Sequence, residues 1–490
     1  MDYRPVPEAH RESFERLVRY AFDPASGPDF DLEDRRPDPE IFDVRGLYHP
    51  PGDRDVASAA PGDVVDADAP DGSDPTPTGE DLAAICGVFR FTLRVRDDWT
   101  PAGGLAAVAS APETRRRGYV SDVLDGVHRE LRDDGTPFAI LWPFAYPFYR
   151  RHGYEQVSRY GRLTVPPDEL SAVAARPAGE FVRLAADDWA EIDAVHAAWA
   201  TESLAVDRTE GWWRHHVFEH WETDPYVYGW RDADGDLRGY VVYAFEDGER
   251  GRDDRTMVVR ELAGVDETAR RQCLRFVRDH DSQAATVRLS DRLDRAIALR
   301  TALDDPRAAD LEVRPGPMLR AVDLRTAVET LAFPQPVEAT LTLEVRDAAC
   351  PWNDGVFELT VADGTGTLEA VGGVGDDGST SGSAGGSTSG ATGAALLPAD
   401  VDVRAGVGAL SAALVGAIPV RELAARGDAG GLDRSAPSAA TETTADRPAD
   451  RPTDRRSPDG SAAGLTGDAD ALETLAACCP AVETYLREGF

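Results

Sequence analysis

Arg115, Arg116 and Arg117 stand in a row in front of Gly118, and the residues that follow, YVSDVLDGVHREL (119–131), carry apolar side chains at helical spacing. A helix start exposes unsatisfied N–H groups backed by the positive end of the helix dipole. A glycine there lets the main chain approach an oxyanion closely, and guanidinium forks add charge-assisted bonds. Together these features read as a seat for a diphosphate. A solvated basic helix start is the plainer alternative, and the pattern alone leaves both open. Two further places carry chemistry. In FYRRHGYE (148–155), Tyr149 offers a phenol that can give up a proton, with Tyr146 and Tyr154 as competitors for the role. In ETYLREGF (483–490), the aromatic Phe490 at the last position suggests a docked end where chain termini ordinarily fray.

The elements that must position these groups follow from periodicity. A helix is expected over His10–Phe22 and strands over Leu82–Val95 and Leu105–Ser110. The helix after Gly118 buries Val120, Val123, Leu124, Val127 and Leu131 and stops at Gly135. A buried strand is expected over Phe138–Trp142, a short helix over Phe148–Gly153 and a returning strand over Tyr154–Val165. A second α/β segment, 166–330, contains a helix over Trp189–Thr201 and a strand Tyr226–Trp230 paired with Gly239–Phe245. It continues with a helix over Glu267–Asp279 and closes with strand-like MLRAVDL, Met318–Leu324. A third, 331–490, opens with strands over Glu338–Val345 and Gly355–Val361 and includes a helix over Gly406–Val415. Stretches 51–79, 372–394 and 427–468 are too poor in large apolar groups to bury a core and are expected as mobile insertions within domains.

Composition bounds the setting. The 490 residues carry 88 acidic side chains against 52 cations, a formal charge of −36, and every cation is arginine. Such a lysine-free acidic surface fits the cytoplasm of a salt-loving organism, here expected to be a halophilic archaeon. No basic face points to nucleic acid, no run of apolar residues is long enough to span a membrane, and the N-terminus has no secretory pattern. The five cysteines (Cys86, Cys273, Cys350, Cys478 and Cys479) read as reduced packing residues, and the histidines show no metal-ligand spacing.

The run VASAPETRRRG (108–118), followed about thirty residues later by FYRRHGYE, resembles the GNAT acetyltransferases, and more closely their enhanced-intracellular-survival branch. Val120 stands where the GNAT signature prefers Gly or Ala. GPMLRAVDL (316–324) resembles the end of that branch's second, degenerate GNAT domain. PWNDGVFELTV (351–361) and ALSAALVG (409–416) resemble its sterol-carrier-like third domain. The second segment has no comparable arginine–glycine turn, so no second CoA site is expected.

The resemblance implies an α/β (α+β) fold: tandem GNAT domains over 1–165 and 166–330, each a mixed central sheet with flanking helices, then a sterol-carrier-like α+β domain over 331–490. It implies an acetyl-CoA-dependent N-acetyltransferase without a metal, acting on a cationic amine of a polyamine-like or aminoglycoside-like molecule or of a lysine side chain. The strand through Val108 and Ser110 would face pantetheine, and Arg115, Arg116, Arg117 and Gly118 would cradle the pyrophosphate. Tyr149 would be the general acid and the Phe490 carboxylate the base or amine-orienting group. A homo-hexamer is implied as well. Asp23 and Glu488 are candidates for an amine pocket, though solvated surface charge is the reading favoured for each. The rival function is a non-catalytic binder of lipid or another apolar ligand through the third domain.

Overall fold

The computed structural model describes residues 1–27, 41–49, 82–219, 223–371, 401–432 and 464–490. The chain begins β1 (Asp2–Pro5), α1 (Arg11–Phe22), β2 (Phe42–Tyr48), β3 (Leu82–Val95), β4 (Asp98–Ser110), α2 (Tyr119–Asp133), β5 (Phe138–Leu141), α3 (Tyr146–Arg150) and β6 (Glu155–Gln156). β4 starts well before the expected Leu105, because Asp98–Gly104 pair in register with Phe89–Val95 of β3. α2 buries Val123, Leu124, Val127 and Leu131 as its 3.6 spacing requires, while Val120, in its first turn, is only half-buried. Gly126 on the same face admits the Tyr3 ring, since a Cβ there would lie 2.5 Å from it. Gly135, at φ +71°, follows the helix where an L side chain would be strained. The short helix expected over Phe148–Gly153 begins two residues earlier and ends three earlier, at Arg150.

The middle of the chain supplies β7 (Arg159–Val165), β8 (Glu180–Arg183), α4 (Trp189–Trp199), β9 (Val206–Asp207) and α5 (Glu210–Trp212). Next come β10 (Tyr226–Arg231), β11 (Leu237–Gly248), β12 (Gly251–Gly264), α6 (Glu267–Arg278), β13 (Thr286–Arg292), α7 (Leu293–Thr301), β14 (Asp310–Pro315) and β15 (Met318–Ala321). Three strands, β7, β9 and β15, sit in the sheet opposite to the one their sequence position suggests. The first sheet runs β1-β2-β3-β4-β5-β15-β6, with β9 added to β3, and the second runs β14-β7-β13-β12-β11-β10-β8. The strand expected over Tyr154–Val165 is therefore broken: Glu155–Gln156 stays in the first sheet and Arg159–Val165 enters the second. Met318–Ala321, read from sequence as the close of the second segment, completes the first sheet. The two chains cross where Gly316 N–H bonds the Ser158 carbonyl at 2.9 Å and Val157 N–H bonds the Pro317 carbonyl at 3.0 Å. A Cβ at Gly316 would sit 2.7 Å from the Ser158 oxygen, so the crossing needs glycine.

The third part comprises α8 (Leu324–Thr330), β16 (Ala339–Arg346), β17 (Gly355–Ala362), β18 (Thr365–Ala370), β19 (Val403–Gly406), α9 (Val407–Leu414), α10 (Val420–Leu432), β20 (Leu465–Gly467) and α11 (Ala469–Cys478). Its sheet runs β18-β17-β16-β19-β20. The expected insertions 51–79 and 372–394 lie outside the described residues. Of 427–468, the described ends are not loop: 427–432 continue α10 and Leu465–Gly467 form β20. α9 docks on β15, where Ser411 Oγ accepts the Ala321 N–H at 2.8 Å and donates to the Val407 carbonyl at 2.6 Å. All five cysteines are buried and unbridged. Among the described residues no helix is long and apolar enough to cross a membrane, and no three His, Cys, Asp or Glu side chains gather as metal ligands would.

Candidate active site

The arginine turn links β4 to α2. Thr114 anchors it, its hydroxyl donating to the carbonyls of Ala83 (2.9 Å) and Ala111 (3.0 Å). Arg116 (φ 64°) and Gly118 (φ 91°) both take the left-handed conformation. Gly118 is the N-cap of α2, and no side chain caps the first-turn N–H groups. A Cβ placed on Gly118 would meet nothing within 4 Å, so the space before the helix is open. Arg115, Arg116 and Arg117 are all exposed around it, and the Arg115 guanidinium lies 5.2 Å from the centre of the Tyr20 ring.

β4 and β5 part company just upstream of that turn. They pair in parallel only from Ala102↔Phe138 to Leu105↔Leu141. Beyond Leu105, β4 runs on to Ser110 along β3 alone, with a register shift and a left-handed Ala107 (φ 50°). The β5-facing main chain of 106–110, which includes Val108 and Ser110, thus has no strand partner among the described residues. Unpaired amides on a strand edge are ready to bond an extended ligand.

Tyr149 lies on α3 on one side of this parting. Its ring is buried with Leu105, Val108 and Leu141 and meets Tyr154 edge-on at 5.8 Å. Among the described residues its hydroxyl has no hydrogen-bond partner, whereas both competitors are committed. Tyr146 donates to the Gly316 carbonyl at 2.7 Å, and the Tyr154 hydroxyl pairs with His128 Nε2 at 2.9 Å. Burial, with a smaller push from the Cys86 thiol, holds the Tyr149 phenol well above its ordinary pKa, so it carries its proton.

Phe490 reaches the same parting from the other face. Its ring packs between Phe89 (5.6 Å), Phe91 (5.5 Å) and Trp212 (6.5 Å). It also abuts Gly104, where a Cβ would lie 3.0 Å from it. Successive residues of a strand face opposite sides, so Leu105 faces Tyr149 and Gly104 faces Phe490. The tail leading there is pinned. Ser203 N–H bonds the Glu483 carbonyl (3.1 Å), Tyr485 N–H bonds the Ser203 carbonyl (2.9 Å), and Thr484 Oγ1 donates to the Val157 carbonyl (2.6 Å). Trp142, next after β5, donates Nε1–H to the Glu488 carbonyl at 2.7 Å.

Glu488 is not a solvated surface charge. Its side chain is 1 % exposed and binds Arg208 Nη2 at 2.8 Å. Asp23 is half-buried at the C-terminal end of α1. Trp142 and Arg208 escaped the sequence reading, for neither sits in a local pattern that signals contact with the chain's last residues.

The middle segment repeats the strand–helix–strand crossing, β12–α6–β13, with β12 and β13 parallel as β4 and β5 are. Its helix start is closed. Asp266 caps α6 and its own carboxylate accepts the Ala269 N–H at 2.8 Å. An acidic side chain, itself paired with Arg238 at 2.9 Å, stands there in place of an open glycine start.

This repeated crossing, with a third sheet behind it, matches known families. Residues 75–157 and 204–321 each match an acetyltransferase (GNAT) domain, and residues 324–451 match a sterol carrier protein domain. The chain carries two GNAT domains and a sterol carrier domain, and it is an N-acetyltransferase. It is 28 % identical over 307 residues to an uncharacterized N-acetyltransferase of Streptomyces avermitilis, covering 59 % of this chain and 72 % of that protein. It is 32 % identical to the N-acetyltransferase Eis of Mycobacterium tuberculosis, but over 105 residues only, 20 % of this chain and 26 % of that one. In fold it is similar to a probable N-acyltransferase from Enterococcus faecalis (TM-score 0.69, 18 % identity, 100 % of this chain and 99 % of that chain). It is likewise similar to Eis1 of Mycobacterium abscessus (TM-score 0.62, 16 % identity, 100 % of both chains). GNAT acetyltransferases use acetyl-CoA, and the first GNAT domain fits that cosubstrate. It has open helix N–H groups, free space before Gly118 and an unpaired strand edge. The helix start of the second domain is capped instead.

Proposed function

We propose that the first GNAT domain transfers acetyl from acetyl-CoA to a primary amine of a small polyamine-like or aminoglycoside-like molecule or of a lysine side chain. The observation that carries this is the parted β4–β5 edge, with the unengaged phenol of Tyr149 on one face and the docked Phe490 on the other. Arg115, Arg116, Arg117 and the amides after Gly118 would hold the diphosphate, and the main chain of Val108 and Ser110 the pantetheine arm. The cosubstrate supplies an acetyl group already activated as a thioester. Tyr149 keeps the proton that the departing sulfur takes up, and burial ensures that the proton is there to give. The carboxylate of Phe490 orients the amine or accepts its proton as the nitrogen becomes bonded to carbon. An ordinary terminal carboxylate, near pKa 3.5, is a weak base, and enclosure among aromatic rings would raise it.

At molar salt the field of the −36 surface is screened within roughly 3 Å, so an anionic cosubstrate is recognised by contact at the arginine turn. The lysine-free composition supports a halophilic, cytoplasmic setting, and a hexamer is carried over from the family resemblance. The apolar-ligand reading is tested by native mass spectrometry for copurified lipid. The apolar core of the described part of the sterol carrier domain is continuous with β5 and β15 of the first sheet.

The test is thiol release when purified protein, acetyl-CoA and a panel of amines are mixed in high salt, with CoA affinity measured separately. Turnover with at least one amine is expected. Adding a short peptide after Phe490 should leave CoA affinity within about twofold while lowering turnover by about 100-fold, the scale of losing a positioned proton acceptor. Unchanged turnover in the extended chain would remove Phe490 from the mechanism.

A further inference from the structure

The C-terminal segment is tied to the second GNAT domain by a guanidinium with no role in the chemistry proposed so far. Arg208 follows directly on β9, and its side chain is 1 % exposed. Its Nη2 and Nη1 bond the two oxygens of Glu261 at 2.6 and 3.1 Å. Its Nε and Nη2 bond Glu488 Oε1 at 3.0 and 2.8 Å. The guanidinium also lies 4.6 Å from the centre of the Trp213 ring. Glu261 on β12 is fixed in turn by the hydroxyl of Tyr240 on β11, at 2.8 Å. The line of contact therefore runs from two central strands of the second sheet, through Arg208, to a residue two places before Phe490.

Glu488 is engaged at both carboxylate oxygens. Its Oε1 takes both Arg208 bonds and its Oε2 accepts the Arg487 N–H at 3.2 Å. A carboxylate so satisfied is held in one orientation and does not serve as an anchor for an incoming ammonium group. The neighbouring Arg487 faces away, its guanidinium 3.4 Å from the centre of the Trp199 ring and bonded to Glu202 at 3.0 Å. Two successive side chains of the tail are thus seated by opposite charges of the second domain, which fixes both the register and the direction of the last residues.

We propose that Arg208 is a positioning residue for acetyl transfer: by seating Glu488 it fixes Phe490 against β4, and the second GNAT domain serves as the seat of the tail. This rests on the reading of Phe490 given above, and it assigns the domain without an open arginine turn a part in the reaction.

The experiment uses full-length Arg208→Gln, Glu488→Gln and Arg208→Lys in high salt. Glu488→Gln keeps the shape and one acceptor oxygen, and so guards against simple loss of folding in Arg208→Gln. Three quantities are read: kcat and KM for transfer, CoA affinity, and the rate at which a carboxypeptidase releases the C-terminal phenylalanine. Arg208→Gln and Glu488→Gln should release phenylalanine at least about tenfold faster. Their kcat should fall by about 10- to 100-fold, the scale on which misplacing a reacting group acts, with KM for acetyl-CoA and CoA affinity within about twofold of the parent. Arg208→Lys should restore part of both. Unchanged phenylalanine release, or faster release with unchanged kcat, would overturn the proposal. So would parallel loss of CoA affinity and transfer in both glutamine variants, which is what a purely structural role predicts. If the parent protein acetylates no amine, the functional reading falls, while the carboxypeptidase arm still decides whether Arg208 seats the tail.

Discussion

Three tyrosines cluster around the parting of β4 and β5, and their hydroxyls divide by what they bond. Tyr146 and Tyr154 are spent on Gly316 and His128, while Tyr149 is left without a partner among the described residues. The Tyr149 side chain is buried, yet its hydroxyl is not among the enclosed polar atoms that lack a partner, so the oxygen is open to a partner from outside the protein. Tyr149→Phe removes no internal hydrogen bond. We expect thermal stability close to the parent and CoA affinity unchanged, with kcat lower by about 10²- to 10³-fold, as loss of a general acid gives; steady-state thiol release checks this. A stability effect belongs here too. Burial, as the first cause, raises the pKa of Tyr149, Tyr154 and Tyr240. The unfolded chain ionises these phenols near pH 10, while the native state keeps them protonated. Their contribution is therefore intact below about pH 10 and lost as pH rises beyond it. Urea midpoints should stay flat from pH 8 to about 9.5 and fall above, and a midpoint rising with pH there would contradict this account.

At the scale of elements, the chain builds the same strand–helix–strand crossing twice and finishes the helix starts differently. α2 begins at a bare Gly118 ringed by arginines, and α6 begins at Asp266, whose carboxylate occupies the first-turn amide of Ala269. The first leaves its amides open to an anion, while at the second the cap already occupies one of them. Gly118→Ala tests the open start. The left-handed φ of 91° strains any L side chain by about 1 kcal/mol, and the new methyl enters the space before the helix. We expect KM for acetyl-CoA to rise about tenfold with kcat at saturation within about threefold. A KM unchanged despite the expected loss of stability would place the cosubstrate elsewhere.

Across the whole molecule, Arg320 joins the first GNAT domain to the sterol carrier domain. Fully buried on β15, it donates to the His152 carbonyl at 2.6 Å, just past the helix of Tyr149, and pairs with Asp347. Asp347 also accepts from the amides of Ala349 and Cys350 and from Asn353 Nδ2, at 3.0 to 3.1 Å. Arg320→Met would leave a buried carboxylate without its cation, a change that costs about 3–5 kcal/mol. The three remaining donors put the expected loss near the lower end, about 3 kcal/mol, readable from denaturant midpoints. Transfer activity should weaken with it, since Gly153 beside His152 abuts both Arg320 and Val407 of α9.

Much of the first domain's local structure is legible in the sequence because its causes are local. The apolar spacing of 119–131 fixes which face of α2 is buried, and the glycines at 118 and 135 mark its ends by the φ values they allow. β3 forms over the expected Leu82–Val95. Strand spacing carries no record of which sheet a strand joins, so only the folded chain decides that β7 and β15 trade places at the crossing of Ser158 and Gly316. The fate of Glu488 was equally out of reach. A glutamate beside a chain end reads as solvated until a buried partner is found, and Arg208 is 280 residues away in sequence. Periodicity and backbone conformation are properties of neighbours along the chain, and they determined the turn, the helix and the phenol; the pairing of distant charges and the choice of sheet exist only once the chain has closed on itself, and they decided where its last residue lies.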